Sequence, residues 1–520
     1  QTGDFGGQVT ATAAGVSVQT PFGVVRDVAR AKVHVTATDR AGQPGSNTLT
    51  VLLNPETSAA YSTLESDATL TVIPGTYLAF SFVPDRQQSI NLLVYPTLEI
   101  TGDRELAMDG RLARGYDVTV PDKGAAPVGA LVDVQFGNVG MSATVMGAGF
   151  GSLYSAHLGP KNAPGLLSMA LGLFAKADGS GGFASSPSYY QTGWYSQGQM
   201  FDGLVRHLRE RDLATVRAQY GFNAVGGQGT RTNFGVAPGS FGGWGFGVSA
   251  ALPATRTEYF AGTLAWQPTF MEWPPGTEDA PLAVASGPTT SYAACCRYAE
   301  QWNKAVFGPN LVSPDPASPS VLRAGDDIIA FPALYADGWG RQGFAGFQAG
   351  RGALYRNGHL VAENPYPGGV FTVPAGAAQY RLEVRSEQVA ALRLSTIVES
   401  VWTFNSAHVD KTAPLPVIGL RIAASLDERN TAPAGSFAVI PIIVSQQQGS
   451  DAGQVTKLAV DVSYDDGATW QKAQVVHALG KWLLALKHAD RAGFVSLRAQ
   501  ATDSAGNTVQ QTVIRAYELR

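Results

Sequence analysis

Ser463-Tyr464-Asp465-Asp466-Gly467-Ala468-Thr469-Trp470 and Ala501-Thr502-Asp503-Ser504-Ala505-Gly506-Asn507 decide how this chain is read. Each is a short run of turn formers between segments that alternate apolar and polar residues. The first fits the Asp-box pattern Ser-x-Asp-x-Gly-x-x-Trp. There the Asp carboxylate takes backbone N–H groups of the turn, Gly467 allows the tight backbone, and Trp470 packs beneath. The second has an Asp that caps the turn and a Gly that supplies positive φ. Hairpins of this kind predict an immunoglobulin-like β-sandwich over residues 409–520. Ser463, Asp465, Gly467 and Trp470 are read as a structural turn, because the motif specifies a hairpin and not a reaction.

The same signal recurs upstream. Thr36 to Gly42 echoes Gln500 to Gly506, which marks a reused hairpin and not a solenoid repeat. Gly 60 and Pro 30 in 520 residues make the chain rich in turns. Charged residues are only 15%, against 45% apolar. The expected fold class is mainly β: several consecutive immunoglobulin- or fibronectin-like β-sandwich domains, with a few short helices in the central one. The divisions read from the sequence are residues 1–26, a terminal hairpin of an incomplete sandwich; 27–121, a sandwich; 122–310, a central aromatic-rich β domain; 320–408, a sandwich; and 409–520. Ser313 to Ser320 is the clearest linker. Asp202 to Glu210 is predicted helical, with Asp202 as N-cap and Leu204 and Leu208 on one face, and a second helix is expected over Glu300 to Phe307. A lone hairpin is marginal in water. Residues 1–26 are therefore expected to pair with a neighbour or to be loosely held, their sandwich having continued upstream in a larger polypeptide.

Composition excludes several classes. A net charge of −4 offers no basic excess for nucleic acid or anionic lipid. The longest apolar run, Gly165 to Ala175, has about half the length a membrane helix needs, so no membrane insertion is expected. Cys295 and Cys296 are adjacent. Closure between them would make a strained eight-membered ring, so two buried thiols are the default reading, with a vicinal disulfide the alternative in an oxidising location.

Candidate chemistry is sparse, and no catalytic residue and no metal ligand is assigned. His34, His157, His207, His359, His408, His477 and His488 show no spacing that fixes a base or a metal. Gly140 to Thr144 superficially matches a serine-nucleophile loop, but the following residues read as strand where that loop needs a helix. Asp326-Asp327 and Asp465-Asp466 are the turns where calcium would find clustered oxygens; otherwise no cofactor is expected. Tyr189, Tyr190, Trp194 and Tyr195 form the candidate binding cluster. Exposed, the rings would stack on a sugar or peptide; buried, they are core anchors, which is the commoner role.

Several segments resemble the C-terminal, non-catalytic region of large secreted bacterial subtilisin-like (subtilase) serine peptidases. They are Leu415-Pro416-Val417, Asn430 to Gly435, Val460 to Trp470, Arg491 to Arg498 and Asn507 to Tyr517, with upstream matches at Tyr77 to Phe80, Ala214 to Tyr220, Trp302 to Gly308 and Phe371 to Leu382. The resemblance implies a secreted, extracellular accessory region that stabilises a protease, positions substrate or attaches it to a surface. Its partner would be an upstream catalytic domain or chain, because the family's Asp, His and Ser motifs are absent here. Two rivals stay open: an extracellular carbohydrate- or cell-surface-binding protein, with a peptide or polysaccharide ligand, and a hydrolase with a site in the central domain.

Overall fold

The computed structural model describes residues 3–26, 29–85, 89–178, 181–184, 186–312 and 319–520. Most of the linker read at Ser313 to Ser320 lies outside them. The fold is mainly β. Among the described residues the helices are three-residue 3-10 turns, at Gly110–Leu112, Phe150–Ser152 and Glu210–Asp212.

Residues 31–302, joined by the edge strand Gln342–Ala345, build a stack of four sheets. The first is three-stranded, with Ala31–Thr38 at its centre. Its inward residues Val33, Val35, Leu106 and Met108 pack on Leu52, Tyr77, Ala79 and Leu93 of a second, seven-stranded sheet. The other face of that sheet, through Leu78, Phe80, Leu92 and Val94, meets Val132, Val134, Ala170 and Phe174 of a third. The third sheet turns Leu131, Leu167, Met169 and Leu171 toward Trp266 and Phe246 of a fourth. The two middle sheets are thus covered on both faces, which is why Leu166–Lys176 is a nearly unbroken apolar run, buried along its length up to Lys176.

Both predicted helices are strands. Leu204–His207 runs parallel to Arg114–Thr119, with Leu204 opposite Tyr116 and His207 opposite Thr119. Asp202 does not cap a helix: its carboxylate accepts the backbone N–H of His157 at 2.6 Å. Gly203 follows at φ +71°, where a side chain would collide with Gly115 O. Arg297–Trp302 is likewise a parallel strand beside Ala214–Tyr220, ended by Asn303 at φ +55°. An available sheet edge outweighed helical spacing in both places.

The C-terminal module has immunoglobulin strand order. Its seven main strands form one sheet of order 1-2-5-4 (Ile418–Ile422, Phe437–Gln446, Lys481–Lys487, Gln471–Ala478). The other has order 3-6-7 (Val455–Ser463, Gly493–Asp503, Thr508–Leu519), and Gln471–Ala478 bridges the two, its start pairing also with Val455–Ser463 from Val462 opposite Gln471 to Val460 opposite Ala473. That is the four-plus-three arrangement of an immunoglobulin domain. The sandwich before it pairs a four-stranded sheet containing Val321–Gly325 with a second containing Ile397–Ser406. Ile397–Ser406 then pairs with Thr508–Leu519, from Ile397 opposite Ile514 to Thr403 opposite Thr508. Hydrogen-bonded strands therefore cross the divisions expected at 121 and 408.

The Asp turn proves to be a repeated device. Asp39, Asp337, Asp427 and Asp503 each accept, on Oδ1, the N–H groups two and four residues ahead, at 2.8–3.0 Å. The residue three ahead is left-handed in every copy: Gly42, Gly340, Asn430 and Gly506. The carboxylate replaces backbone partners that the turn cannot supply.

The first hairpin joins Gly3–Ala13 to Val16–Arg26 through Ala14 and Gly15, both at positive φ, the geometry that matches strand twist. It forms a sheet of its own, and Val9, Val16, Val18, Phe22 and Val24 are exposed.

Candidate functional site

Of the four aromatic candidates, Tyr189, Tyr190 and Trp194 are buried, so the cluster is no exposed platform; Tyr195 is half-buried. Their strand, Ser188–Gln197, lies inside the third sheet between Leu166–Lys176 and Ala254–Gly262. Tyr190 reaches a cavity. In register across four neighbouring strands stand Tyr190, Tyr259, Thr215 and Arg297, a row that forms the floor of a groove of about 570 Å³. Asp122 from a loop and Glu210 and Arg211 from the 3-10 turn Glu210–Asp212 contribute to its walls. The rings of Tyr190 and Tyr259 stack at 4.6 Å and 13°. Burial, then Tyr259, then Asp122 and Glu210 push the Tyr190 hydroxyl up to about 12, so it remains a donor at neutral pH. Two carboxylates and two guanidinium groups balance in charge. This arrangement suits a polar, uncharged ligand with many hydroxyls. Sequence reading found Tyr190 through its aromatic neighbours, whereas Thr215, Tyr259 and Arg297 join it only through strand pairing.

Cys295 and Cys296 are free and exposed, contrary to the buried thiols expected, and Cys295 lines this groove. The backbone turns there, with Cys296 N–H on Ala293 O at 3.2 Å and Cys295 at φ +60°.

The densest ionisable cluster lies between the third and fourth sheets. Arg231 bridges Glu258 at 2.7 Å and Glu300 at 3.0 Å, with Arg231 and Glu258 essentially without solvent contact. Tyr220 donates to Glu258, Tyr292 to Glu300 at 2.5 Å, and Trp302 Nε1 to Glu300 at 2.9 Å. Burial works to raise Glu300, yet Arg231 and these donors hold it below the usual carboxylate range. A second buried carboxylate, Glu272, accepts the N–H groups of Asn223 and Ala224 at 2.7 Å and Asn303 Nδ2 at 2.9 Å. Asn223 in turn bonds Tyr335 and Leu394, tying the four-sheet stack to the sandwiches that follow.

The candidate calcium turns are engaged by protein groups. Asp326 meets His408 at 2.9 Å and Arg323 at 3.3 Å, and Asp466 meets Arg515 at 2.7 Å. Among the described residues no cluster of three or more His, Cys, Asp or Glu could hold a metal ion. In the Asp-box turn, Ser463 Oγ accepts Gly467 N–H at 2.9 Å and Asp465 accepts Thr469 N–H at 2.9 Å, while Gly467 sits at φ +87°. Trp470 lies under the Arg498 guanidinium, 4.5 Å from ring centroid to carbon.

Hydrogen bonds from Thr469, then Ser463, pull Asp465 down to about 2. A lowered native value means that the turn's contribution is complete above the ordinary carboxylate range and is lost progressively as pH falls from that range through about 2. Carboxyl-carbon NMR titration should show that midpoint, rising toward the ordinary value in Thr469→Val. A wild-type midpoint at the ordinary value would refute the turn geometry.

No protein-family model matches the chain, and no curated protein does. Solved structures give partial likenesses. Fibronectin(III)-like modules of Clostridium thermocellum CbhA match at 12% identity over 42% of this chain and 90% of theirs, with a TM-score of 0.14. The Bacillus anthracis TIE protein matches at 9% identity over 58% and 59%, with a TM-score of 0.13. Trypsin-activated alpha-2-macroglobulin from Escherichia coli matches at 9% identity over 98% and 45%, with a TM-score of 0.15. At these scores the fold rests on the strand orders above. The molecule they define is a mainly β protein of stacked and serially joined sandwiches. No helix among the described residues is long and apolar enough to cross a membrane.

Proposed function

We propose that this chain is a non-catalytic accessory region of an extracellular protein, of the kind carried by subtilisin-like serine peptidases. It would stabilise a catalytic unit, position its substrate or attach it to a surface. One observation carries the reading: the buried carboxylates Glu258 and Glu272 are held in clusters that lock sheet to sheet, an arrangement that serves rigidity. The sequence resemblance supplies the peptidase and the secreted location. The purified chain should leave casein intact and resist a serine-directed fluorophosphonate; stoichiometric labelling would overturn the proposal.

The groove over Tyr190, Tyr259, Thr215 and Arg297 favours a second reading, the binding of a neutral oligosaccharide. Retention on insoluble polysaccharide that disappears in Tyr259→Ala, with the fold intact, would support it. Sugar release that vanishes in Glu210→Gln would instead make the groove hydrolytic.

A further inference from the structure

A second pocket, of about 430 Å³, lies where the four-sheet stack meets the immunoglobulin module. Ser286 of the fourth sheet and Trp339 to Gln342 line it together with Arg421 and Ile443 to Ser445, which belong to the first two strands of that module. Among the described residues of its lining two are arginines, Arg341 and Arg421, and none is acidic. Arg341 Nη1 meets Asp337 Oδ2 at 3.0 Å, and the same buried carboxylate accepts the N–H groups of Trp339 and Arg341 on Oδ1. That carboxylate is therefore fully engaged.

Arg421 has no ion-pair partner among the described residues. Its Nη1 donates to Gly338 O, whereas Nε and Nη2 make no hydrogen bond there and are not sealed from solvent. Burial pulls this guanidinium below its usual value, with Asp337 acting in the opposite sense. A half-buried cation without a counter-charge is costly, and an anion supplied from outside would relieve it. The group is also held in place. Gly340, at φ +86°, lets the guanidinium lie against the backbone, where an added side chain would come within 3.1 Å of Nε. Beside it Trp339 is 57% exposed, its ring fixed by Nε1 donating to Gln301 Oε1 at 3.2 Å. Gln342 donates through Nε2 to Val312 O at 2.8 Å, and its Oε1 has no partner among the described residues.

A fixed cation, an open indole face and a free acceptor around one pocket define the complement. It is a ring with an apolar face for Trp339, one carboxylate for Arg421 and a hydroxyl for Gln342. An inorganic anion would leave Trp339 unused, and a flat aromatic acid would leave Gln342 Oε1 unmatched. A hexuronate unit meets all three requirements, and the volume suits one or two such rings. We propose that this pocket binds an acidic polysaccharide through a hexuronate unit, its carboxylate paired with Arg421 and its ring stacked on Trp339. The site is separate from the charge-balanced groove over Tyr190 and rests on neither reading given above.

The experiment uses the intact chain and ligand-observed NMR with methyl β-D-glucuronide and methyl β-D-glucoside, then with benzoate, inorganic phosphate and N-acetyl-Gly-Glu-Gly-amide. The glucuronide should bind about tenfold more tightly than the glucoside, the lower end for a charge-assisted hydrogen bond. Arg421→Gln should erase that preference and Arg421→Lys should keep part of it, urea unfolding serving to check that each variant folds. Trp339→Ala, on the surface, should weaken the glucuronide about fivefold without altering unfolding. High salt should shrink the preference in the wild-type chain, a readout that needs no substitution. Equal binding of the two sugars, or a preference indifferent to salt, would overturn the ion pair. A glucuronide indifferent to Trp339→Ala would overturn the stacking. Benzoate or phosphate binding as tightly as the glucuronide would overturn the sugar and leave an anion site only. A Glu peptide binding more tightly would make the partner an acidic polypeptide and overturn the proposal.

Discussion

Arg231→Met is expected to lower the stability of the four-sheet stack by about 3–5 kcal/mol, the range for removing one partner of a buried ion pair. Arg231 carries the charge between two carboxylates, Glu258 and Glu300, and lies with Glu258 out of contact with water. Methionine keeps much of the volume, so the loss comes from two buried negative groups without a counter-charge. The pH dependence separates this cause from simple misfit. Without Arg231, burial raises both carboxyls above their unfolded values. A raised carboxyl costs nothing at pH below both values, where it is protonated in each state, and costs progressively more as pH rises. The deficit against the wild-type chain should therefore shrink on acidification toward about pH 4. Combining Arg231→Met with Glu258→Gln and Glu300→Gln should recover most of the loss at neutral pH. Urea unfolding followed by tryptophan fluorescence measures all of these, since Trp302 donates to Glu300 within the cluster. A deficit that stays constant with pH would show that packing, and not charge, holds the layers together.

The hairpins were legible in the sequence because their instructions are local. Asp503 and Gly506, like Asp39 and Gly42, carry the whole turn within five residues, and the structure shows the same hydrogen bonds in both. The stacking of sheets was not legible. Leu166–Lys176 gives no alternation because it is covered on both faces, and such a run reads alike as strand or helix. The helix read at Asp202 failed for a related reason. Leu204 and Leu208 have helical spacing, but the open edge at Arg114–Thr119 is remote in sequence and unknown until the sheet exists. The groove was half visible. Tyr190 stood out among adjacent aromatics, while Tyr259, Thr215 and Arg297 come into its row only by strand register.

Trp402→Ala should destabilise the last two sandwiches together, by about 3–5 kcal/mol for a buried tryptophan truncated to alanine. Trp402 is wholly buried in Ile397–Ser406, between Leu382 on one neighbouring strand and Val509 on the other. Its Nε1 donates to Ile418 O at 2.7 Å, a carbonyl in the first strand of the immunoglobulin module. The ring therefore stands where one continuous sheet passes from the preceding sandwich into the last, and its core residues Val321, Phe371, Tyr380, Leu420, Leu484 and Tyr517 belong to one buried cluster. A shared sheet and core imply a single cooperative unit, because opening either sandwich exposes the flank of the other. Trp402→Phe should recover most of the loss, keeping the ring while giving up the hydrogen bond to Ile418, worth about 1 kcal/mol. Hydrogen exchange provides the decisive readout. In Trp402→Ala, amides of Ala378–Gln388 and Thr508–Leu519 should lose protection to the same extent, because both strands flank the strand that carries the cavity. If Ala378–Gln388 opened while Thr508–Leu519 kept wild-type protection, the two sandwiches would be independent domains that merely touch, and the continuous sheet would carry no coupling between them.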